Sequence, residues 1–260
     1  MIRRAAILIV ACLAASCQAL LSVDELPSVP YDELPIDRIE LLKVADRVYR
    51  TSRRVRDLVR ARTALRKAEF VDPGHFGTAW RLARVDGILA RVDVDNAAPW
   101  AREGLEAGEA ARAKKPERVA GHLYTAICAG LLAKARPTEA DTMMAHVVEA
   151  AEKAILRDPD FGHGEARRVL GAIYLYAPSW PSGVGDIDEA MAVLEGVATA
   201  HPEDPSNLFY LAEAYRRAGD RQKAVALYKR VLKAPKEGIW ALEGPQYRAD
   251  ARAHLIELGE

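Results

Sequence analysis

Apolar residues in this chain fall into paired helical stripes, each pair split by a turn signal. The clearest pair lies within residues 205–235. Leu211, Ala212 and Tyr215 share one helical face, Gly219-Asp220 breaks the chain, and Ala224, Tyr228 and Val231 form a second stripe ended by Pro235. The same order appears one unit earlier. Leu170, Gly171 and Tyr174 make the first stripe; Ala190, Leu194 and Val197 make the second, closed by Pro202. Between them lies the Pro- and Gly-rich stretch 177–186, too broken to continue either helix. Two looser units precede these: Trp80, Leu82 and Ala83 lead across Asp93-Val94-Asp95-Asn96 to Ala111 and Pro116, and Ile127, Cys128 and Leu131 lead past Arg136-Pro137 to Ala154 and Pro159. A half-matched unit covers residues 37–73, and residues 246–258 read as a closing helix. No stretch alternates as a half-buried strand would.

Pro73, Pro116, Pro159 and Pro202 stand 43 residues apart, each five residues after a small side chain: Ala68, Ala111, Ala154 and Val197. A fixed period of this size marks stacked helical hairpins. A bundle with incidental prolines is the alternative, and four equal spacings speak against it. The order large, small, aromatic, turn glycine, small, aromatic, proline resembles the tetratricopeptide repeat (TPR), in which small residues let antiparallel helices approach closely. The expected fold is all-α: a TPR-like helical-hairpin solenoid over residues 37–260, with lengthened inter-helix turns and a C-terminal capping helix.

Composition changes this picture little. Lys plus Arg and Asp plus Glu are balanced at 37 each, so no global charge draws the chain to nucleic acid. The local exception is residues 49–67, with Arg50, Arg53, Arg54, Arg56, Arg60, Arg62, Arg66 and Lys67. This run is a solvated helix face or a surface for an anionic partner such as lipid headgroups.

The N-terminus carries an address. Met1-Ile2-Arg3-Arg4 is basic, and the apolar run from Ala5 to Ser16 is too short to span a bilayer and fits a signal peptide. Ala14-Ala15-Ser16-Cys17 resembles the lipobox of bacterial lipoproteins, with Ala14 where leucine is commoner; ordinary cleavage with Cys17 incidental is the other reading. The resemblance implies residues 1–16 as signal, Cys17 as the lipidated residue, and 17–36 as a proline-rich tether. Gln18, not aspartate, follows the cysteine, which in the lipoprotein rule implies an outer-membrane, periplasm-facing location in a bacterial envelope.

Catalytic and metal motifs are missing. The six histidines form no His-x-x-x-His pair, no Cys-x-x-Cys occurs, and there is neither a nucleophile elbow nor a phosphate loop. Asp158-Pro159-Asp160 and Asp186-Ile187-Asp188 read as helix boundaries. No cofactor or metal is expected, and the chain reads as a binder, not an enzyme. First helices of such hairpins line a concave face, which places Trp80, Arg84, His122, Thr125, Arg168, Tyr176, Phe209, Glu213 and Arg217 inward as a mixed aromatic and cationic groove. Trp180, flanked by prolines in the long turn, is a further candidate for ligand contact.

The lipobox-like start, the proline tether and the hairpin units, with Leu170-Gly171-Ala172-Ile173-Tyr174, Trp180-Pro181 and Gly185-Asp186 in an extended turn, resemble the T-component of tripartite ATP-independent periplasmic (TRAP) transporters. Trp80-Arg81-Leu82-Ala83-Arg84 and Gly121-His122-Leu123-Tyr124 are similar to that family's earlier helices. The resemblance implies a non-catalytic, lipid-anchored accessory of solute uptake. Such a protein partners a periplasmic solute-binding protein, holds a small organic ligand, and can form homo-oligomers. The alternative is a scaffold for envelope or outer-membrane protein assembly.

Overall fold

The computed structural model describes Pro30, Asp32 and residues 34–260, so Cys17, the signal segment and most of the tether lie outside it. The described residues form eleven α-helices in five antiparallel hairpins plus a closing helix: α1 (Arg38–Thr51) with α2 (Val55–Val71), α3 (Phe76–Val92) with α4 (Ala97–Lys114), α5 (Val119–Ala135) with α6 (Ala140–Arg157), α7 (Phe161–Tyr176) with α8 (Ile187–Ala200), α9 (Pro205–Arg217) with α10 (Arg221–Lys233), and α11 (Gly244–Glu257). Each hairpin packs on the next chiefly through its second helix, α2 on α3, α4 on α5, α6 on α7 and α8 on α9, with the first helices also touching in series, as a solenoid requires. The expected fold class is the observed one.

The 43-residue period has a local cause. Each of the four prolines follows the residue that ends the second helix of a hairpin: Asp72, Lys115, Asp158 and His201. The backbone N–H of each of these residues donates to the carbonyl of the small residue four places back: Ala68, Ala111, Ala154 and Val197. Those four side chains are fully buried. The small residue lets the neighbouring helix close in, and the proline, with no N–H to donate, stops the helix.

The extra length over a repeat of about 34 residues lies mainly in the helices. α3 to α6 are 17 or 18 residues long, against 13 each for α9 and α10. The turn near Arg136-Pro137, expected to be enlarged, is a single three-residue 3₁₀ turn at 137–139, and the turn at 93–96 is of the same kind. Within the hairpins, only the α7–α8 turn is long. It is held by Gly185 N–H donating to the Pro178 carbonyl at 2.8 Å and Asp186 N–H donating to the Tyr174 carbonyl at 2.9 Å. Asp186 then caps α8, accepting from the backbone of Asp188 and Glu189.

α7 begins irregularly. Gly162, His163 and Gly164 have φ of 59°, 59° and 75°, so the regular helix runs from Glu165. A side chain at Gly164 would collide with Val197 of α8, which makes glycine the residue that fits both the backbone and the packing.

Candidate binding cleft

The concave face is built from the first helices, and its side chains lock successive hairpins together. Asp46 of α1 accepts from Arg81 Nε at 2.9 Å and from Arg84 Nη2 at 2.6 Å, both on α3. Burial alone would raise the Asp46 carboxyl, but the two guanidinium groups outweigh it and hold it below the usual range. The Arg84 guanidinium lies 3.8 Å from the Tyr49 ring centroid and 4.8 Å from that of Trp80. Trp80 in turn stacks on Tyr124 of α5, with centroids 5.9 Å apart.

The far end is similar in kind. Arg168 of α7 donates to Asn207 Oδ1 of α9 at 2.7 Å and faces Glu165 at 3.7 Å. Burial pushes the Glu165 carboxyl up despite Arg168. Tyr176 is 44% exposed, with the Arg217 guanidinium 4.4 Å from its ring centroid and its hydroxyl 3.3 Å from Glu213. Phe209 is buried among Tyr210, Tyr228, Tyr247 and His254.

One contact joins the two ends. Glu243, preceding α11, accepts from Arg53 Nη2 at 3.1 Å and lies 3.9 Å from Arg91. Burial would raise Glu243, but Arg91 and Arg53 hold its carboxyl below the usual range. The residues before α11 therefore reach back to the first two hairpins. Within that stretch, Trp240 donates to Asp204 Oδ2 at 3.3 Å and meets His163 edge-on.

Of the residues expected to face inward, Trp80, Arg84, Arg168, Tyr176, Phe209, Glu213 and Arg217 all join this chain of contacts. His122 and Thr125 stand elsewhere, in the α4–α5 interface. His122 Nε2 is 2.8 Å from the Pro116 carbonyl, burial lowers its ring, and Thr125 is fully buried against Gly108. At that level the neighbouring Tyr124 meets Trp80 instead. Trp180 projects from the long turn at 85% exposure, with no ring partner among the described residues. Sequence reasoning passed over Tyr49, Arg91, Glu165, Glu243 and Tyr247. Arg53 was legible only as part of the basic run.

A second concavity lies between the outer helices α6 and α8, over α7. It has a volume of about 550 Å³, with Ile155, Leu156, Leu170, Ala192, Val193 and Gly196 as mostly apolar walls. Glu152 and Arg167 are its only charged lining residues, against the many charged and aromatic side chains gathered on the concave face, so the cleft is the better candidate. Among the described residues, no three His, Cys, Asp or Glu side chains are grouped to hold a metal, and no helix is long and apolar enough to cross a membrane.

A tetratricopeptide-repeat family profile matches residues 183–242, from the end of the α7–α8 turn through α8, α9 and α10 to just before α11. Among solved structures, the chain is similar to TTC0263, a thermophilic TPR protein of Thermus thermophilus. The TM-score is 0.65 at 17% identity, over 85% of this chain and all of that one. It is also similar to the MamA protein, with TM-score 0.47 at 17% identity, over 75% of this chain and 90% of that one. A search of curated proteins returns no match. The repeat match and the TTC0263 likeness agree with the helical-hairpin solenoid described above.

Proposed function

We propose that this chain is a non-catalytic scaffold that holds a protein segment in its concave cleft. The observation that carries this reading is the lining. Arg53, Arg84, Arg91 and Arg168, from the α1–α2 turn, α3 and α7, line the cleft with Tyr49, Trp80 and Tyr124. Arginine and aromatic rings are the side chains that dominate protein recognition, and walls this polar suit a peptide better than a small apolar solute. The proposed setting is the bacterial envelope, with Cys17 as the lipid-bearing residue and the solenoid facing the periplasm. The cargo is then an assembly client.

Crosslinking the tagged protein in its own membranes, then purification and mass spectrometry, identifies the partner. Arg91 is part-exposed and its pairing with Glu243 is loose, so Arg91→Gln is expected to leave the fold intact and lower recovery of a cleft-bound partner at least tenfold. Full recovery would remove the cleft from the reading. Cys17→Ser is expected to release the protein from membranes; continued lipid labelling of the variant would exclude that cysteine as the anchor.

The second reading, an accessory of TRAP-type solute uptake, is favoured by Trp180, held exposed on the one lengthened turn within a hairpin. It requires a periplasmic solute-binding protein as the main partner, and its loss with Trp180→Ala. Recovery of outer-membrane assembly proteins, unaffected by that substitution, decides for the scaffold.

A further inference from the structure

The basic run at the start of the solenoid is divided by the fold into two sets. Four cations are taken inward or into contacts. Arg53 joins Glu243, Arg62 and Arg66 meet Glu103, and Lys67 donates to the Leu34 carbonyl at 3.0 Å. With Arg47 of the preceding turn, the remaining arginines number five: Arg47, Arg50, Arg54, Arg56 and Arg60. All are exposed, and none makes a side-chain hydrogen bond, ion pair or ring contact among the described residues. They occupy the tip of the first hairpin, Arg47 and Arg50 in the last turns of α1, Arg54 preceding α2, Arg56 and Arg60 in its first turns.

The acids nearby are committed. Asp57 accepts from Ser52 Oγ at 2.6 Å, Asp46 is held by Arg81 and Arg84, and Glu243 by Arg53. Two further details argue that this charge serves something other than stability. Arg54 and Arg56 stand at the N-terminus of a 17-residue helix, the end whose dipole disfavours cations, with Asp57 the one acid in its first turn and no side-chain hydrogen bond at its cap. An anion placed there gains from both the dipole and the arginines. The tip is also rigid, because Leu58, Val59 and Ala61 directly behind it are buried in the core.

We propose that this tip docks onto an anionic lipid bilayer. Arginine forks match phosphate oxygens, and a lipid surface offers many phosphates with no fixed pattern to fit. Five free arginines around a turn, with no pocket between them, suit such a surface better than one acidic protein side chain. The choice of lipid over an acidic protein rests on the envelope address proposed above. That address would also allow reach: the first packed residue among those described is Leu34, and a proline-rich stretch from 17 to 33 at about 3.1 Å per residue would reach at most roughly 50 Å, beyond the ~21 Å length of α1.

The test uses a chain beginning at residue 17 with Cys17→Ser, which keeps all the described core and has no acyl chain. It is sedimented with vesicles of phosphatidylcholine alone or of phosphatidylcholine mixed with anionic phosphatidylglycerol, whose negative surface attracts clustered basic residues. Binding is expected to the anionic vesicles only and to weaken several-fold between 0.1 and 0.5 M salt, as screening requires. Each neutralised arginine is expected to cost about fivefold, so Arg50→Gln/Arg54→Gln/Arg56→Gln falls on the order of a hundredfold. No binding to anionic vesicles at low salt, or binding that the triple variant keeps, overturns the proposal. If the tip instead serves an acidic protein, the vesicles fail while the triple variant loses a crosslinked partner. Because this chain carries no lipid, failure here leaves the Cys17 anchor to its own test.

Discussion

Arg62→Met is expected to destabilise the protein by about 3–5 kcal/mol, the cost of leaving buried charges without their partner. Arg62 is the hub of a cluster sealed between α2, α3 and α4. Its Nε donates to Asp86 Oδ1 at 2.9 Å, its Nη2 meets Glu103, and its guanidinium lies 4.9 Å from the Trp100 ring centroid. Asp86 and Trp100 are fully buried and Glu103 nearly so, while Asp86 Oδ2 and Glu103 Oε1 have no other hydrogen bond. Methionine preserves the stem and removes the charge, so fully buried Asp86 loses its partner and Glu103 keeps only Arg66. Arg66, which also meets Glu103, is more than a third exposed and cannot follow the charge inward. At about 2–4 °C per kcal/mol for a protein of this size, the melting temperature should fall by roughly 10 °C. A loss under about 1 kcal/mol, the range of a surface pair, would show that this cluster is solvated.

The same cluster gives a pH signature. Burial pushes the Asp86 carboxyl up to about 6, even with Arg62 and Arg66 pulling it down. The folded state then holds that proton more tightly than the unfolded chain, whose aspartates titrate near 3.9. Asp86 therefore lowers stability as pH rises from about 4 to about 6, by roughly 3 kcal/mol over the window. Carboxylates such as Asp46 and Glu243, held low by arginines, have the opposite slope: their contribution is lost as pH falls below the unfolded value. The stability difference between wild type and Asp86→Asn isolates the Asp86 slope, because the other carboxylates are common to both proteins.

What could be read from sequence follows from the range of the interactions involved. The hairpins were legible because their determinants are local: a small residue, an aromatic, a proline, repeated at fixed spacing. Helix length was less so, since nothing in Asp93-Val94-Asp95-Asn96 distinguishes a tight 3₁₀ turn from an enlarged loop. Seven of the nine expected concave residues join the cleft contacts. The two that do not, His122 and Thr125, lie on α5 beside Gly108 and Gly121, where the unusually close approach of α4 turns them into interface. The pairing of Arg53 with Glu243 spans 190 residues, and its geometry depends on the accumulated curvature of every hairpin between. No local pattern encodes that. Arg62 and Arg50 read alike as members of one basic run, and only the placement of Asp86 and Glu103 separates a buried hub from an exposed tip.

That close approach can be tested by two chemically identical substitutions. Gly121→Ala would place a Cβ 2.7 Å from the backbone nitrogen of Arg112 and 2.8 Å from its Cα. Those atoms belong to the α4 main chain, so no rotamer change relieves the clash and the two helices must separate. Gly108 faces Thr125 across the same interface, its absent Cβ 2.9 Å from the Thr125 nitrogen, so α5 has no direction in which to yield. Overpacking of this kind costs about 1–3 kcal/mol, and alanine's helix preference recovers at most about 1. Gly196→Ala is the control. It lies inside α8 on the wall of the apolar groove, where a Cβ meets nothing within 4 Å, so only the preference remains and the substitution should stabilise by up to about 1 kcal/mol. Because the helix preference is common to both, the stabilities should differ by the overpacking cost, roughly 1–3 kcal/mol, with Gly121→Ala the lower. Equal shifts would mean that α4 and α5 are farther apart than described, which would also free His122 and Thr125 to face the cleft.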